Sequence, residues 1–255
     1  MDGTLLDDKR RIPAEFWPVL DEMRRRGILF VPASGRQYAT LAALFGDVPD
    51  GLAFIAENGT YVVRDGEELS STTLDWGFVQ TVVGVLRGLG DAYDIGIVVC
   101  GKRSAYIERH GDAFVAEASH YYAKLAHVDD VLAVEDDILK IAIYDFGDAE
   151  TSTAPRLAEF RGSHQVVVSG KHWIDIMDAK ANKGVAVRTL QTQLGISADQ
   201  TVVFGDYLND LDMFDEAANS YAMANAHPEV RARARFGAPS NADLGVVTVL
   251  TGLLG

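Results

Sequence analysis

Over most of this chain, apolar segments of strand length alternate with stretches whose apolar residues recur at helical spacing. In residues 13–26, Phe16, Val19, Leu20 and Met23 share one face, and a basic last turn followed by Gly27 predicts where that helix stops. Residues 28–33 (ILFVPA) read as a strand, residues 34–46 as a loop entering a helix, and residues 52–56 as a second strand. Residues 57–71 read as a hairpin, with turns at Asn58-Gly59 and Asp65-Gly66. Strands separated by helices predict a parallel sheet with crossover connections.

The rhythm changes near residue 75. A helix, strands at 95–100 and 104–109, a long helix through His120, a strand at 138–145, a helix near 154–161 and a strand at 164–169 make an α+β pattern. Alternation then returns: residues 172–178 lead to a helix at 183–195, a strand at 201–206, a helix at 207–217 and further short elements. The expected architecture is an α/β core built from residues 1–74 and 171–255, interrupted by an inserted domain at residues 75–170.

Composition narrows the class. At 255 residues and 48% hydrophobic, the chain can bury a substantial core. A formal charge of −14 opposes binding to polyanionic nucleic acid. No apolar run approaches the roughly 20 residues of a membrane span, so neither nucleic acid nor membrane is an expected partner. Cys100 is the single cysteine; it excludes an intrachain disulfide, and its apolar run IGIVVCG predicts a buried thiol in a protein of the reducing cytoplasm.

Four segments carry candidate chemistry. Strand 201–206 ends on Gly205-Asp206, which puts a carboxylate at the carboxyl edge of the sheet, where open α/β folds bind ligands. Asn209 and Asp210 follow on the next helix, and three hard oxygen donors in one small volume suit Mg²⁺; the competing reading is a capped helix start. Ser34, Gly35 and Arg36 hold the equivalent place after strand 28–33. There a hydroxyl, free amides and a guanidinium make an anion cradle, although a serine before a helix is also an ordinary N-cap. Lys183, before Gly184 at a helix amino terminus, opposes the helix dipole and asks for an anionic partner, with Lys180 as its rival. Asp2 opens the fourth segment, MDGTLL.

Taken in order, MDGTLL, Ser34-Gly35-Arg36, Lys183-Gly184 and the stretch GDYLND at 205–210 resemble the four motifs of the haloacid dehalogenase superfamily, in its Cof-type branch with a large inserted cap. The turn Glu57-Asn58-Gly59 and the SNADLGV stretch are also similar to this branch. The resemblance implies a Rossmann-like three-layer α/β/α core with an α+β cap. It implies a Mg²⁺-dependent phosphatase of small phosphorylated metabolites such as sugar phosphates, acting through an aspartyl-phosphate. Asp2 would be the general acid and base, with its backbone carbonyl on the metal. Ser34, Gly35, Arg36, Asn58 and Asn209 would hold phosphate or substrate, Lys183 would neutralise charge, and Asp206 and Asp210 would serve the metal.

In this register the attacking aspartate falls two positions ahead of Asp2, where the sequence has no residue. The expectation is that the natural chain extends upstream of Met1, supplying a central strand and that aspartate; without them, strands 28–33 and 201–206 lack a shared neighbour. Asp2 as the nucleophile, with Thr4 as its helper, is the weaker register. A phosphotransferase or phosphomutase, and a silent phosphate-binding protein, are the alternative functions. Lys102, Arg103, His120 and Tyr122 are candidate cap contacts. Tyr121 and Tyr122 read more readily as packing than as sugar platforms, and His172 and His227 as non-catalytic.

Overall fold

The computed structural model describes residues 1–46, 51–90 and 92–255. In chain order, α1 (Phe16–Arg25) and α2 (Tyr38–Phe45) precede an antiparallel meander of β1 (Ala53–Ala56), β2 (Tyr61–Arg64) and β3 (Glu67–Ser71). Next come α3 (Trp76–Gly90), β4 (Ile95–Gly101), β5 (Ala105–Ile107), α4 (Asp112–Tyr121), β6 (Leu125–His127), β7 (Ile138–Asp145), β8 (His164–Gly170) and β9 (Trp173–Asp178). Then α5 (Lys183–Leu194), β10 (Val202–Gly205), α6 (Leu211–Phe214), β11 (Asn219–Met223), α7 (Pro228–Arg233), β12 (Phe236–Ala238) and α8 (Gly245–Leu254) complete the fold.

Local chemistry explains the main boundaries. Helix α1 buries Phe16, Val19, Leu20 and Met23, the four residues its periodicity singles out, and Gly27 takes a positive φ of 69° beyond it. The Asn182 side chain accepts the Val185 amide at 2.7 Å to cap α5, and Gly195 closes that helix in the left-handed region. Residues 154–162 form a 3₁₀ helix rather than an α-helix, and β6 is a strand that the sequence pattern left unmarked.

The cap is organised by one six-stranded sheet in the order β6-β5-β4-β7-β9-β8. All eight residues of β7 are buried because both faces are covered: α3 and the 3₁₀ helix pack on one, α4 on the other. This sheet corrects the boundary expected at residue 170. Strand β9 pairs antiparallel with both β7 and β8, so Trp173–Asp178 belongs to the insertion's sheet rather than to the core. The expected cut separates two hydrogen-bonded strands, which periodicity along one strand cannot reveal.

The core surrounds a second apolar cluster, and here residues 28–33 depart from expectation. Instead of a full strand they make two isolated parallel bridges, Phe30 to Leu52 and Ala33 to Ile55. The parallel sheet β10-β11-β12 stands apart from them, with β10 at its edge. Between residues 28–33 and β10 runs an apolar cleft of about 280 Å³, lined by Phe30, Val31, Leu190, Val203, Phe204 and Leu250, with Met1 at one end. A ladder needs a partner at strand spacing, and across this cleft neither segment has one.

Candidate active site

The motif loops meet at the carboxyl end of β10, beneath the cap sheet. Gly205 is required there: a side chain on it would run into the Asp210 Cβ at 2.6 Å. Asp206 follows, half-buried beside Thr4, whose hydroxyl donates to its carboxylate. Asp210 accepts the amides of Asp206 at 2.9 Å and Tyr207 at 3.3 Å on one oxygen, and Lys183 Nζ at 2.6 Å on the other. Burial disfavours the Asp210 charge, but Lys183 and the amides outweigh it and hold its pKa below the ordinary value. Lys183 is itself 3% exposed, whereas Lys180 lies at the surface, so the anionic partner that a lysine at a helix amino terminus asks for is Asp210.

Three consecutive residues with positive φ, Glu57 at 50°, Asn58 at 59° and Gly59 at 97°, shape the turn after β1. A side chain on Gly59 would collide with the carbonyl of Asn182, so this turn and the start of α5 are pressed together. Ser34 belongs to the same knot. Its amide donates to the Ile55 carbonyl at 2.9 Å, its carbonyl accepts the Asn58 amide at 3.0 Å, and its hydroxyl accepts the Arg36 amide at 3.2 Å.

Arg36 is 4% exposed and grips Asp2 with two hydrogen bonds of 2.8 and 2.5 Å, while its guanidinium stacks 5.6 Å from the Tyr121 ring centroid. Burial raises the pKa of Asp2, but the bonds and charge of Arg36 prevail and bring it below the usual carboxylate value.

The expected convergence of carboxylates on a metal takes a narrower form. Among the described residues no three histidine, cysteine or carboxylate side chains gather into a metal site. Asp2 is spent on Arg36 and Asp210 on Lys183, which leaves Asp206, whose one side-chain partner among the described residues is Thr4. Burial raises its pKa, and Asp210 adds to that. A half-buried carboxylate that faces the pocket without a hydrogen-bonded cation fits a hard divalent ion that takes one protein carboxylate and fills its remaining positions with water and phosphate.

A pocket of about 380 Å³ opens on these groups. Asp2, Ser34, Gly35, Arg36, Lys183, Asp206, Asn209 and Asp210 line it, as do Arg10, Glu117, Tyr121, Lys140, Lys171, His172, Trp173 and Asp175. Apart from Tyr121 and His172, which the sequence reading weighed as packing and as non-catalytic, the second group carries no motif, and most of its members come from residues 75–178. Asn58 is buried, donating to Asp175 at 2.7 Å and accepting from Asn209 at 3.0 Å. Lys102 is spent on Glu68, and Arg103 and His120 point elsewhere. Tyr122 also lines the pocket, 3% exposed and packed against Trp173. Cys100 is fully buried and burial pushes its thiol well up, as expected of an inert packing residue. His227 caps α7.

Comparison with known proteins agrees with this geometry. The model of the haloacid dehalogenase-like hydrolases matches residues 1–250, and the chain belongs to that family. It is a phosphatase of this type, a phosphoric monoester hydrolase. It is 35% identical over 257 residues to 5-amino-6-(5-phospho-D-ribitylamino)uracil phosphatase YbjI of Escherichia coli K12, covering all of this chain and 94% of that protein. Among solved structures, SMU.1108c of Streptococcus mutans superposes with a TM-score of 0.89 at 27% identity, over 100% of this chain and 96% of the other. A subclass IIB sugar phosphatase of the superfamily shares the fold, with a TM-score of 0.84 at 17% identity over 99% and 96% of the two chains. No helix among the described residues is long and apolar enough to cross a membrane.

Proposed function

We propose that the protein is a Mg²⁺-dependent phosphatase of small cytoplasmic metabolites, sugar or polyol phosphates, whose attacking aspartate is carried by a strand ahead of Met1. The observation that carries this reading is the apolar cleft between residues 28–33 and β10; Met1 lines both this cleft and the pocket. A strand laid in that cleft would pair with both free edges and deliver a carboxylate beside Lys183 and Asp206. The polyol-phosphate reading draws on the relative named for a phosphoribityl substrate. Residues 75–178 would act as the cap that covers the ester and sets specificity.

Each group then has a task. The aspartate oxygen attacks phosphorus, the phosphorus–oxygen ester bond breaks, and the leaving oxygen takes the proton that Asp2 carries once the phosphate dianion beside it has raised its proton affinity. Water next attacks the aspartyl-phosphate, gives its proton to Asp2 and releases phosphate. The Ser34 hydroxyl and the Gly35 amide hold phosphoryl oxygens, and Lys183 lowers the repulsion between the incoming carboxylate and the phosphate. Asp206 and the Asp2 carbonyl would hold Mg²⁺, which supplies charge neutralisation at the phosphoryl group.

The test is phosphate release from a panel of sugar and polyol phosphates with Mg²⁺, using the 255-residue chain and a chain extended upstream to place an aspartate two positions before Asp2. Turnover is expected from the extended chain, and it should vanish in Asp206→Asn. An extended chain that folds and releases no phosphate from any ester sinks the proposal. Mg²⁺ at 100 times its Kd should also stabilise the parent by about 2.7 kcal/mol and leave Asp206→Asn unmoved.

A further inference from the structure

Lys140 lies in the middle of β7, 2% exposed, and its ammonium meets three acceptors that come from both halves of the molecule. It donates to the carbonyl of Gly35 at 2.6 Å and pairs with Glu57 at 2.9 Å and Asp175 at 3.2 Å. Were it present only to neutralise the two carboxylates, the ammonium would sit closest to one of them. Its shortest contact is instead to the neutral carbonyl of the anion cradle.

That contact fixes more than an oxygen atom. A trans peptide is planar, with its C=O and N–H pointing in opposite directions. Pinning the Gly35 carbonyl toward the cap therefore turns the Arg36 amide away from it, and this amide donates to Ser34 Oγ at 3.2 Å. With a lone pair of that oxygen engaged, the Ser34 hydroxyl proton is left to point outward. Gly35 has no room to escape sideways, since a Cβ on it would stand 2.9 Å from Asn58 Oδ1.

The structure assigns to Lys140 the part of a positioning residue: seated from the cap sheet, it holds the Gly35–Arg36 peptide so that the Ser34 hydroxyl is aimed at a phosphoryl oxygen. Phosphate capture then depends on the cap being in place. This rests on the reading of the pocket as a phosphate-ester site, and the experiment separates the two.

Inorganic phosphate binding to the full chain is measured by calorimetry for the parent, Ser34→Ala, Lys140→Met, Lys140→Gln and the Ser34→Ala/Lys140→Met double variant, with the fold of each checked by thermal unfolding. Loss of a hydrogen bond from a charged donor predicts phosphate binding about tenfold weaker in Lys140→Met. Lys140→Gln keeps a donor for the Gly35 carbonyl and should stay within about threefold of the parent. Because Lys140 works through Ser34, the double variant should bind no more than about twofold more weakly than Ser34→Ala alone. A parent that binds no phosphate overturns the site reading and this inference with it. A parent that binds, with a folded Lys140→Met within about twofold of it, or with losses that multiply in the double variant, overturns the inference alone. Should Lys140→Met not fold, Lys140→Met/Glu57→Gln withdraws both charges together, and comparison with Glu57→Gln reads the same lost contact under the same criteria.

Discussion

Lys183 and Asp210 form an ion pair that is almost wholly buried, and removing one member leaves the other's charge with too little compensation. Lys183→Met should destabilise the protein by about 3–5 kcal/mol, measured by denaturant unfolding at pH 7. The sign of the accompanying pH effect follows from the depressed pKa of Asp210. A carboxylate with a folded-state pKa below its ordinary 3.8 adds stability that is complete above that value and is lost as pH falls through the lower, folded one. The parent's acid limb should therefore be steeper below about pH 4 than that of Lys183→Met; equal slopes would count against the pairing. Gly59 is the other critical single residue. With φ at 97° and the Asn182 carbonyl where a Cβ would go, Gly59→Ala should cost at least about 1–3 kcal/mol and lower the Tm by several degrees.

Among the elements, the contrast between β11 and residues 28–33 is the informative one. Strand β11 is paired on both sides, whereas residues 28–33 touch β1 through two isolated bridges and face the cleft on their other side. Amide hydrogen exchange should accordingly be fast across residues 28–33 and slow in β11. Uniform protection of the two segments would mean that the cleft is closed in solution. The sequence marked 28–33 as a strand because apolar content signals burial, but a strand is defined by its partners, and those lie elsewhere in the chain. The same limit explains β9, which the sequence pattern left unmarked and which pairs with β7 and β8, across the expected boundary at residue 170.

For the molecule as a whole, the seating of the cap matters most. Besides Lys140 and Asp175, the segment after α4 is zipped to α2. The Gln37 amide exchanges hydrogen bonds with the Lys124 backbone at 3.0 and 2.8 Å, and the Thr40 hydroxyl bridges the Tyr121 carbonyl and the Ala123 amide at 2.8 Å each. At about 1 kcal/mol net for each bond, Gln37→Ala/Thr40→Ala should release about 2–4 kcal/mol of cap–core attachment. Small-angle scattering should then show a larger radius of gyration. An unchanged radius would place the attachment in the buried charges instead.

The sequence by itself determined the α/β class, the family its four ordered motifs resemble and the apolar faces of the helices, because periodicity and motif order are properties of neighbouring residues. The choice of Lys183 over Lys180, the capture of Asp2 by Arg36, the bridging role of Asn58 and the whole contribution of Lys140 and Asp175 were decided only in three dimensions. Those groups stand far apart in sequence, up to 151 positions for Asn58 and Asn209, and most of them are polar in a place where burial is tolerated only with a partner. A strand pattern reports that Lys140 is inside; only the packed sheet shows that it reaches the Gly35 carbonyl.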